Sequence, residues 1–286
     1  MLGALAACST ESAFKPADPA LVAAADAAVI TGSEAPSAQI QRQFARELRI
    51  LNDNDMKRET ITNDNGSLRY CQGLYNEDQP GKPAILVFLH GIGERGSENL
   101  ANIRLAVPDI VKQIKATKQK VILLAPQCPG DQLWATRHRG GAEAKLAEKP
   151  RQALGMVPIL IQKKIKEFDA DPDRVYITGL SLGGYGAWEL MERYGTGLFA
   201  AGITCSGGGD PAQAEKMKDL PVWIFHGDAD EVVPVGNSRR LFAELQRLGS
   251  PARYTEYPGV GHAAWTPAYA DEELFRWLFS QRTVKR

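Results

Sequence analysis

Residues 174–194 read RVYITGLSLGGYGAWELMERY, and this stretch decides the fold. Val175 to Thr178 are β-branched or aromatic, as in a strand, whereas the residues from Leu182 onward are rich in helix formers. Between them stands Gly179-Leu180-Ser181-Leu182-Gly183. The pattern predicts strand, tight turn and helix with a serine held at the turn, which is the setting of a nucleophile elbow. Such a turn strains the serine backbone and brings strand and helix close together, and glycines, having no Cβ, permit the approach. The motif alone is weak, because about one serine in a hundred would carry both flanking glycines by chance at this glycine content. A serine in a Gly-rich turn or helix cap is the bland alternative. The position between a strand and a helix gives the sharper reading its weight.

Outward from this stretch, compact apolar runs alternate with helical segments. Strands are predicted at 84–89, 121–125, 174–178, 199–204, 222–225 and 252–257, and helices at 100–115, 151–168, 182–194, 237–248 and 271–281. Near-continuous apolar strands separated by helices read as a mostly parallel sheet covered on both faces. Ahead of them, 57–62 and 67–75 flank Asn63-Asp64-Asn65-Gly66, a hairpin signal that brings the expected total to eight strands. Ile40, Phe44, Leu48 and Leu51 fall on one helical face and predict a short helix, with extended structure from Leu48 as the other reading. Residues 17–37 are Ala-rich with little bulky apolar content. The expectation is a leader or linker over 1–37, lipoprotein-like in its tether, followed by a single α/β catalytic domain over 38–286.

The 286 residues include 34 Lys+Arg and 34 Asp+Glu, so the formal charge is zero and no field attracts a polyanion. Nucleic acid is therefore not an expected partner. At 44% hydrophobic and 24% charged residues the composition is that of a globular protein. No apolar run approaches the roughly 18 residues that span a bilayer. Cys8, Cys71, Cys128 and Cys205 form no CxxC pair and no Cys/His cluster, so no metal site is expected. Leu5-Ala6-Ala7-Cys8 has the form of a lipobox, which makes Cys8 a lipidation candidate. The residues before it lack both the basic start and the apolar stretch of an export signal. Either the chain starts inside a longer signal, or Cys8 is accidental in an Ala-rich leader. An exported location is favoured over the cytoplasm.

A serine hydroxyl is a weak nucleophile at neutral pH and needs a general base, which in turn needs an orienting group. In the elbow architecture the acid and then the histidine follow the serine along the chain. Of His90, His138, His226 and His262, only His262 lies far enough downstream, just after the last predicted strand. The acid is sought in FHGDADEVVP at 225–234, where Asp228 and Asp230 both fit the spacing. Asp228 directly follows Gly227 and suits a turn-shaping role. Asp230 stands two residues further out, where a carboxylate can reach the next loop. All of these emerge at the carboxyl ends of strands, where open α/β sheets bind ligands. Attack on a carbonyl creates an oxyanion that needs two preorganised N–H donors. Leu182, directly after the nucleophile, is expected to supply one. The loop HGIGERG at 90–96 is expected to supply the other, from Ile92.

Taken together, LHGIGERGSEN (89–99), LLAPQCP (123–129), ITGLSLGGYGAWEL (177–190), FHGDADEVVP (225–234) and GVGHAAW (259–265) resemble the serine esterases of the α/β-hydrolase superfamily. The most similar branch is that of phospholipase/carboxylesterase and polyhydroxybutyrate-depolymerase-like esterases, with prolyl-oligopeptidase-type peptidases as cousins. The resemblance runs from Ser67 to the C-terminus and leaves out residues 1–50. It implies the α/β-hydrolase fold, Ser181 as nucleophile, Asp230 as acid, His262 as base and no cofactor. The implied reaction is hydrolysis of carboxylic esters through an acyl-enzyme, on small or soluble acyl, aryl or sugar-acyl esters. Peptide or amide hydrolysis is the alternative, although no domain that would gate peptides precedes the site. A non-catalytic binding protein on the same fold is the third reading.

The short stretch 205–220 leaves no room for a large cap. The loop 126–150 is expected to wall the pocket, with Trp134 near its start and Arg137, His138 and Arg139 behind. Trp134 and Trp265, the latter beside His262, read either as an apolar acyl or aryl pocket or as plain packing. In the expected strand order Cys71 lies near Cys128, while Cys205 is about three strands away and beyond disulfide reach. An exported protein would therefore bridge Cys71 and Cys128.

Overall fold

The apolar runs of the sequence form the centre of a sheet buried on both faces. The computed structural model describes residues 18–135 and 145–283. Cys8, Arg137, His138 and Arg139 lie outside the described residues. The described strands are β1 Val29–Gly32, β2 Lys57–Asn63, β3 Gly66–Tyr75, β4 Ala84–Leu89, β5 Val121–Gln127, β6 Val175–Leu180, β7 Ala201–Cys205, β8 Val222–Gly227 and β9 Arg253–Tyr257. They lie in the order β1-β2-β3-β5-β4-β6-β7-β8-β9. β1, β2, β3 and β5 pair antiparallel, and every contact from β5 through β9 is parallel. Every residue of β4, β5, β6 and β7 is buried, as continuous apolar composition requires of strands covered on both sides.

The helices are α1 Pro19–Ala27, α2 Ala38–Gln43, α3 Ala45–Asp53, α4 Val107–Thr117, α5 Gln152–Phe168, α6 Leu182–Tyr194, α7 Ala214–Met217, α8 Gly236–Arg247, α9 Trp265–Ala270 and α10 Glu272–Ser280. Strand side chains alternate between faces, so β4 divides its residues. Ile85, Val87 and Leu89 join the core beneath α1, α5, α6 and α8. Leu86 and Phe88 join the second core, beneath α4, α9 and α10. The link between β7 and β8 holds one 3₁₀ turn and the four residues of α7, so no cap covers the site from there. Among the described residues no helix is long and apolar enough to cross a membrane.

Among the described residues the sheet has nine strands rather than eight, because residues 18–37 contain structure that composition did not announce. Asp18 caps α1 by accepting the Ala20 N–H at 2.9 Å. Ala25 and Ala28 are then fully buried in the first core, with Leu21, Ala24 and Ile30 packed beside them. Small side chains suffice where a helix lies close against its neighbour, so the absence of bulk did not mean the absence of a contact. β1 adds itself to the free edge of β2, pairing Ile30 with Ile61.

Two further expectations change. The helix over 38–51 is broken at Phe44 (φ −116°, ψ 31°), yet Ile40, Phe44, Leu48 and Leu51 still face one core. The Cys71–Cys128 bridge is not formed, and both thiols are free and buried. Cys71 pairs in register with Ala125, and Cys128 lies an odd number of residues further on, so its side chain leaves the opposite face. Cys71 accordingly sits in the second core and Cys128 in the first. The Cys71 thiol instead donates to the Asn99 carbonyl at 3.3 Å.

Candidate active site

The turn after β6 places Ser181 at φ 51° and ψ −118°, a conformation that L residues rarely adopt. Such strain costs about 1–3 kcal/mol and persists only where the surroundings fix it. Here the Ser181 N–H donates to the Cys205 carbonyl at 2.9 Å, tying the turn to β7. The flanking glycines are demanded by proximity: a Cβ on Gly179 would strike the Gly183 carbonyl, and one on Gly183 would strike the Leu89 carbonyl. Ser181 is buried at 4% exposure.

The loops after β8 and β9 bring two more side chains to it. His262 Nε2 lies 2.9 Å from Ser181 Oγ, and His262 Nδ1 lies 2.7 Å from Asp230 Oδ2. A carboxylate only accepts, so Nδ1 carries the proton and Nε2 accepts from the serine hydroxyl. The other oxygen of Asp230, Oδ1, accepts the N–H groups of Val232 at 2.9 Å and Val233 at 2.8 Å. His226 approaches Oδ2 from a second direction at 3.2 Å. Burial pushes the Asp230 carboxyl up, but hydrogen bonds from His226, His262, Val233 and Val232 outweigh it and hold the group below the usual carboxylate range.

Asp228, the other candidate acid, is exposed and accepts the Gly259 N–H at 2.6 Å. It stitches the β8 loop to the β9 loop and does not reach His262. Two serines that brace the histidines of this site gave no warning in the sequence. Ser206, at φ 48° after β7, donates its hydroxyl to the His262 carbonyl at 2.8 Å. Its acceptor is a backbone atom far along the chain, which no side-chain pattern announces. Ser238 of α8 lies 2.7 Å from His226 Nδ1. Trp265 stands edge-on to the His262 ring at 5.1 Å between centroids.

Leu182 is the first residue of α6 and Ile92 the first of a 3₁₀ turn over Ile92–Glu94, so the N–H of each lies among those without an intrahelical acceptor. The Ile92 side chain is 42% exposed. The loop that carries it is braced from below. The Gly91 carbonyl can only accept, so His90 Nδ1 donates to it at 2.6 Å while Nε2 accepts the Cys128 N–H at 2.9 Å. Burial lowers the His90 pKa to about 4, in keeping with this neutral form. Arg104 grips the loop from outside, donating to the Gly93 carbonyl at 3.1 Å and to Glu94 Oε1 at 2.9 Å.

Trp134, for which pocket lining and plain packing were both open, is fully buried. Its Nε1–H donates to the His90 carbonyl at 3.1 Å, and its ring packs on His90 at 5.3 Å, so it supports the same loop.

Residues 74–271 match the family model described as phospholipase/carboxylesterase. The chain belongs to that family. It is 27% identical over 204 residues to acyl-protein thioesterase 1 of Neurospora crassa, covering 63% of this chain and 80% of the relative. It is 25% identical to a probable carboxylesterase of Oryza sativa subsp. japonica, covering 66% of this chain and 83% of the relative. Among solved structures, a thermostable esterase superposes with a TM-score of 0.73 at 35% identity over 82% of this chain. The chain spans 64% of the length of that esterase. Membership of the phospholipase/carboxylesterase family makes the protein a carboxylic ester hydrolase on the α/β-hydrolase fold. In this esterase the loops after β4, β6, β8 and β9 all open at the carboxyl edge of the parallel strands, where such sheets bind their ligands.

Proposed function

We propose that the enzyme hydrolyses carboxylic esters through an acyl-enzyme, with Ser181 as nucleophile, His262 as general base and Asp230 as the acid that orients it. The observation that carries this reading is the unbroken chain Asp230 Oδ2, His262, Ser181 Oγ, at 2.7 and 2.9 Å. As Ser181 Oγ attacks the ester carbonyl, its proton passes to His262 Nε2, and Asp230 stabilises the imidazolium through Nδ1–H. The oxyanion is received by the N–H groups of Leu182 and Ile92, each such donor being worth on the order of 3–4 kcal/mol. His262 then returns the proton to the leaving alkoxide. Water, activated by the same imidazole, releases the acid and restores Ser181.

The substrates proposed are small or soluble acyl, aryl or sugar-acyl esters, reached without a cap between β7 and β8. The functional unit proposed is the domain from residue 38 onward, with α1 and β1 packed against it. The name of the Neurospora relative makes a thioester the most informative second substrate. The test is a panel of acetyl, butyryl and octanoyl nitrophenyl esters, a feruloyl ester, an acetylated sugar, an acyl thioester and an anilide. Each is assayed with wild type and Ser181→Ala. Turnover of esters that vanishes in Ser181→Ala, with the melting temperature kept, is the expected result. Ester turnover that survives Ser181→Ala, or an anilide preferred over every ester, refutes the proposal.

A further inference from the structure

The carboxylate of Asp230 faces two imidazoles, and the triad uses only one. The second, His226 at the end of β8, is fully buried. Its Nε2 lies 3.0 Å from the Val233 carbonyl and 3.2 Å from Asp230 Oδ2. Both of those atoms only accept, so Nε2 carries a proton, which it donates to the Val233 carbonyl with Asp230 Oδ2 close beside it. Nδ1 lies 2.7 Å from Ser238 Oγ, and in the neutral ring it accepts the Ser238 hydroxyl proton.

We propose that His226 is a positioning residue for ester hydrolysis: locked by Ser238, it donates to Asp230 Oδ2 and sets both the orientation of that carboxylate and the charge it offers His262. The proposal rests on the reading of Asp230 as the triad acid. It extends the hydrogen-bonded chain to Ser238, His226, Asp230, His262 and Ser181.

Three features support a role beyond filling space. First, all the approaches to Asp230 are occupied: Oδ1 by two backbone N–H groups, Oδ2 by two imidazoles. Rotation of the carboxylate would break several hydrogen bonds together. Second, the His226 hydrogen bond is prominent among the interactions that hold Asp230 in its charged form. Third, the other charges near His226 are mutually paired. On β9 the residue in register with it is Glu256, bound by Arg239 of α8 through two contacts of 2.8 and 2.6 Å and by the Tyr254 hydroxyl. On β7 the neighbouring titratable group is the buried thiol of Cys205, held neutral by burial. The charged partner left to the imidazole is Asp230. The carboxylates on the loop facing His262 are Asp230, in contact, and Asp228, engaged with Gly259.

A donor on Oδ2 draws charge away from His262. Removing it leaves the carboxylate freer to stabilise the His262 imidazolium, so the acidic limb of kcat/KM must move to higher pH. In His226→Phe, which keeps an aromatic ring in the cavity, that limb is expected to rise by about half a pH unit or more. The value of kcat is expected to fall about 10-fold or more while KM stays within about 2-fold, the pattern of a loss felt in the transition state. His226→Gln, whose amide can place an N–H near the position of Nε2, should recover most of that loss. Ser238→Ala leaves the imidazole but frees its tautomer, and should move the limb in the same direction by less.

All variants are assayed on one nitrophenyl ester from pH 5 to 9, with thermal melts and Asp230→Asn alongside. If His226→Phe fails to fold, His226→Gln and Ser238→Ala decide. The proposal is overturned if the foldable variants of His226 and Ser238→Ala superimpose on the wild-type profile, or if Gln recovers nothing while the protein is folded. Full turnover in Asp230→Asn would instead refute the triad reading itself.

Discussion

Replacing Asp230 by Asn preserves shape and turns one of its two acceptor oxygens into a donor. The Oδ1 position faces two donors, the N–H groups of Val232 and Val233 at 2.9 and 2.8 Å. An amide NH₂ placed there would oppose both, so the amide oxygen must take that place. The NH₂ then falls at the Oδ2 position, 2.7 Å from His262 Nδ1, and donates to it. Nδ1 becomes an acceptor, the ring proton moves to Nε2, and Nε2–H points at Ser181 Oγ, 2.9 Å away, where a free lone pair is required. The base can no longer take the serine proton. A wrong tautomer of this kind costs about 10⁴ in turnover, or about 5.5 kcal/mol of barrier.

Asp228→Asn makes no such demand, because its amide oxygen can still accept the Gly259 N–H. It is expected to keep activity within about 3-fold, as surface changes away from such features usually do little. For stability, Asp230 is held below its unfolded value near 3.8, so its contribution is present above that pH and is lost on acidification. At pH 8 the Asn variant forfeits it, and a fall of a few degrees in Tm is expected alongside the kinetic loss. Both variants are assayed on nitrophenyl acetate at pH 8, with thermal melts by circular dichroism. Asp230→Asn within about 10-fold of wild type, or Asp228→Asn down by orders of magnitude with its fold intact, refutes the reasoning.

Ser206→Ala removes the hydroxyl that holds the His262 carbonyl. It should lower kcat by about 10-fold with KM little changed, and steady-state kinetics that match wild type would remove Ser206 from the account. Glu192, near the C-terminal end of α6, is buried beside Asp210, and burial raises its pKa from 4.5 to about 8. Its neutral form favours the fold, so that stability is fully present below pH 4.5 and is lost as pH rises through about 8, to the extent of at most about 4–5 kcal/mol. Melting curves between pH 5 and 9 should therefore fall less steeply in Glu192→Gln than in wild type, and parallel curves would exclude this source.

What the sequence revealed of this fold follows from where its information is local. β4, β5, β6 and β7 are legible because strands buried on both faces must be apolar throughout. The elbow is legible because two glycines are required within five residues of each other. His262 is legible because few histidines exist and only one follows the last strand.

The misses share a different cause. α1 and Ala28 bury alanines, whose pattern carries almost no hydrophobic signal. Cys71 and Cys128 are close along their strands, but the parity of side chains puts them on opposite faces, which strand spacing alone does not express. For Trp134 residue type leaves pocket and packing open, whereas its contact is with the His90 carbonyl, a backbone atom that any residue could present. Ser206 is hidden in the same way by the His262 carbonyl.

The candidate site thus divides in two. The side chains proposed to perform chemistry are constrained by type and stand at strand ends, where a pattern of types and strands points to them. The groups that hold those side chains in place act largely on backbone atoms contributed by other loops, and only the fold brings the two together. The His226 and Ser238 pair lies on the boundary. Its residue types are visible in the sequence, but its meaning depends on a carboxylate four residues away whose second oxygen face appears only once the loop after β8 has closed on α8.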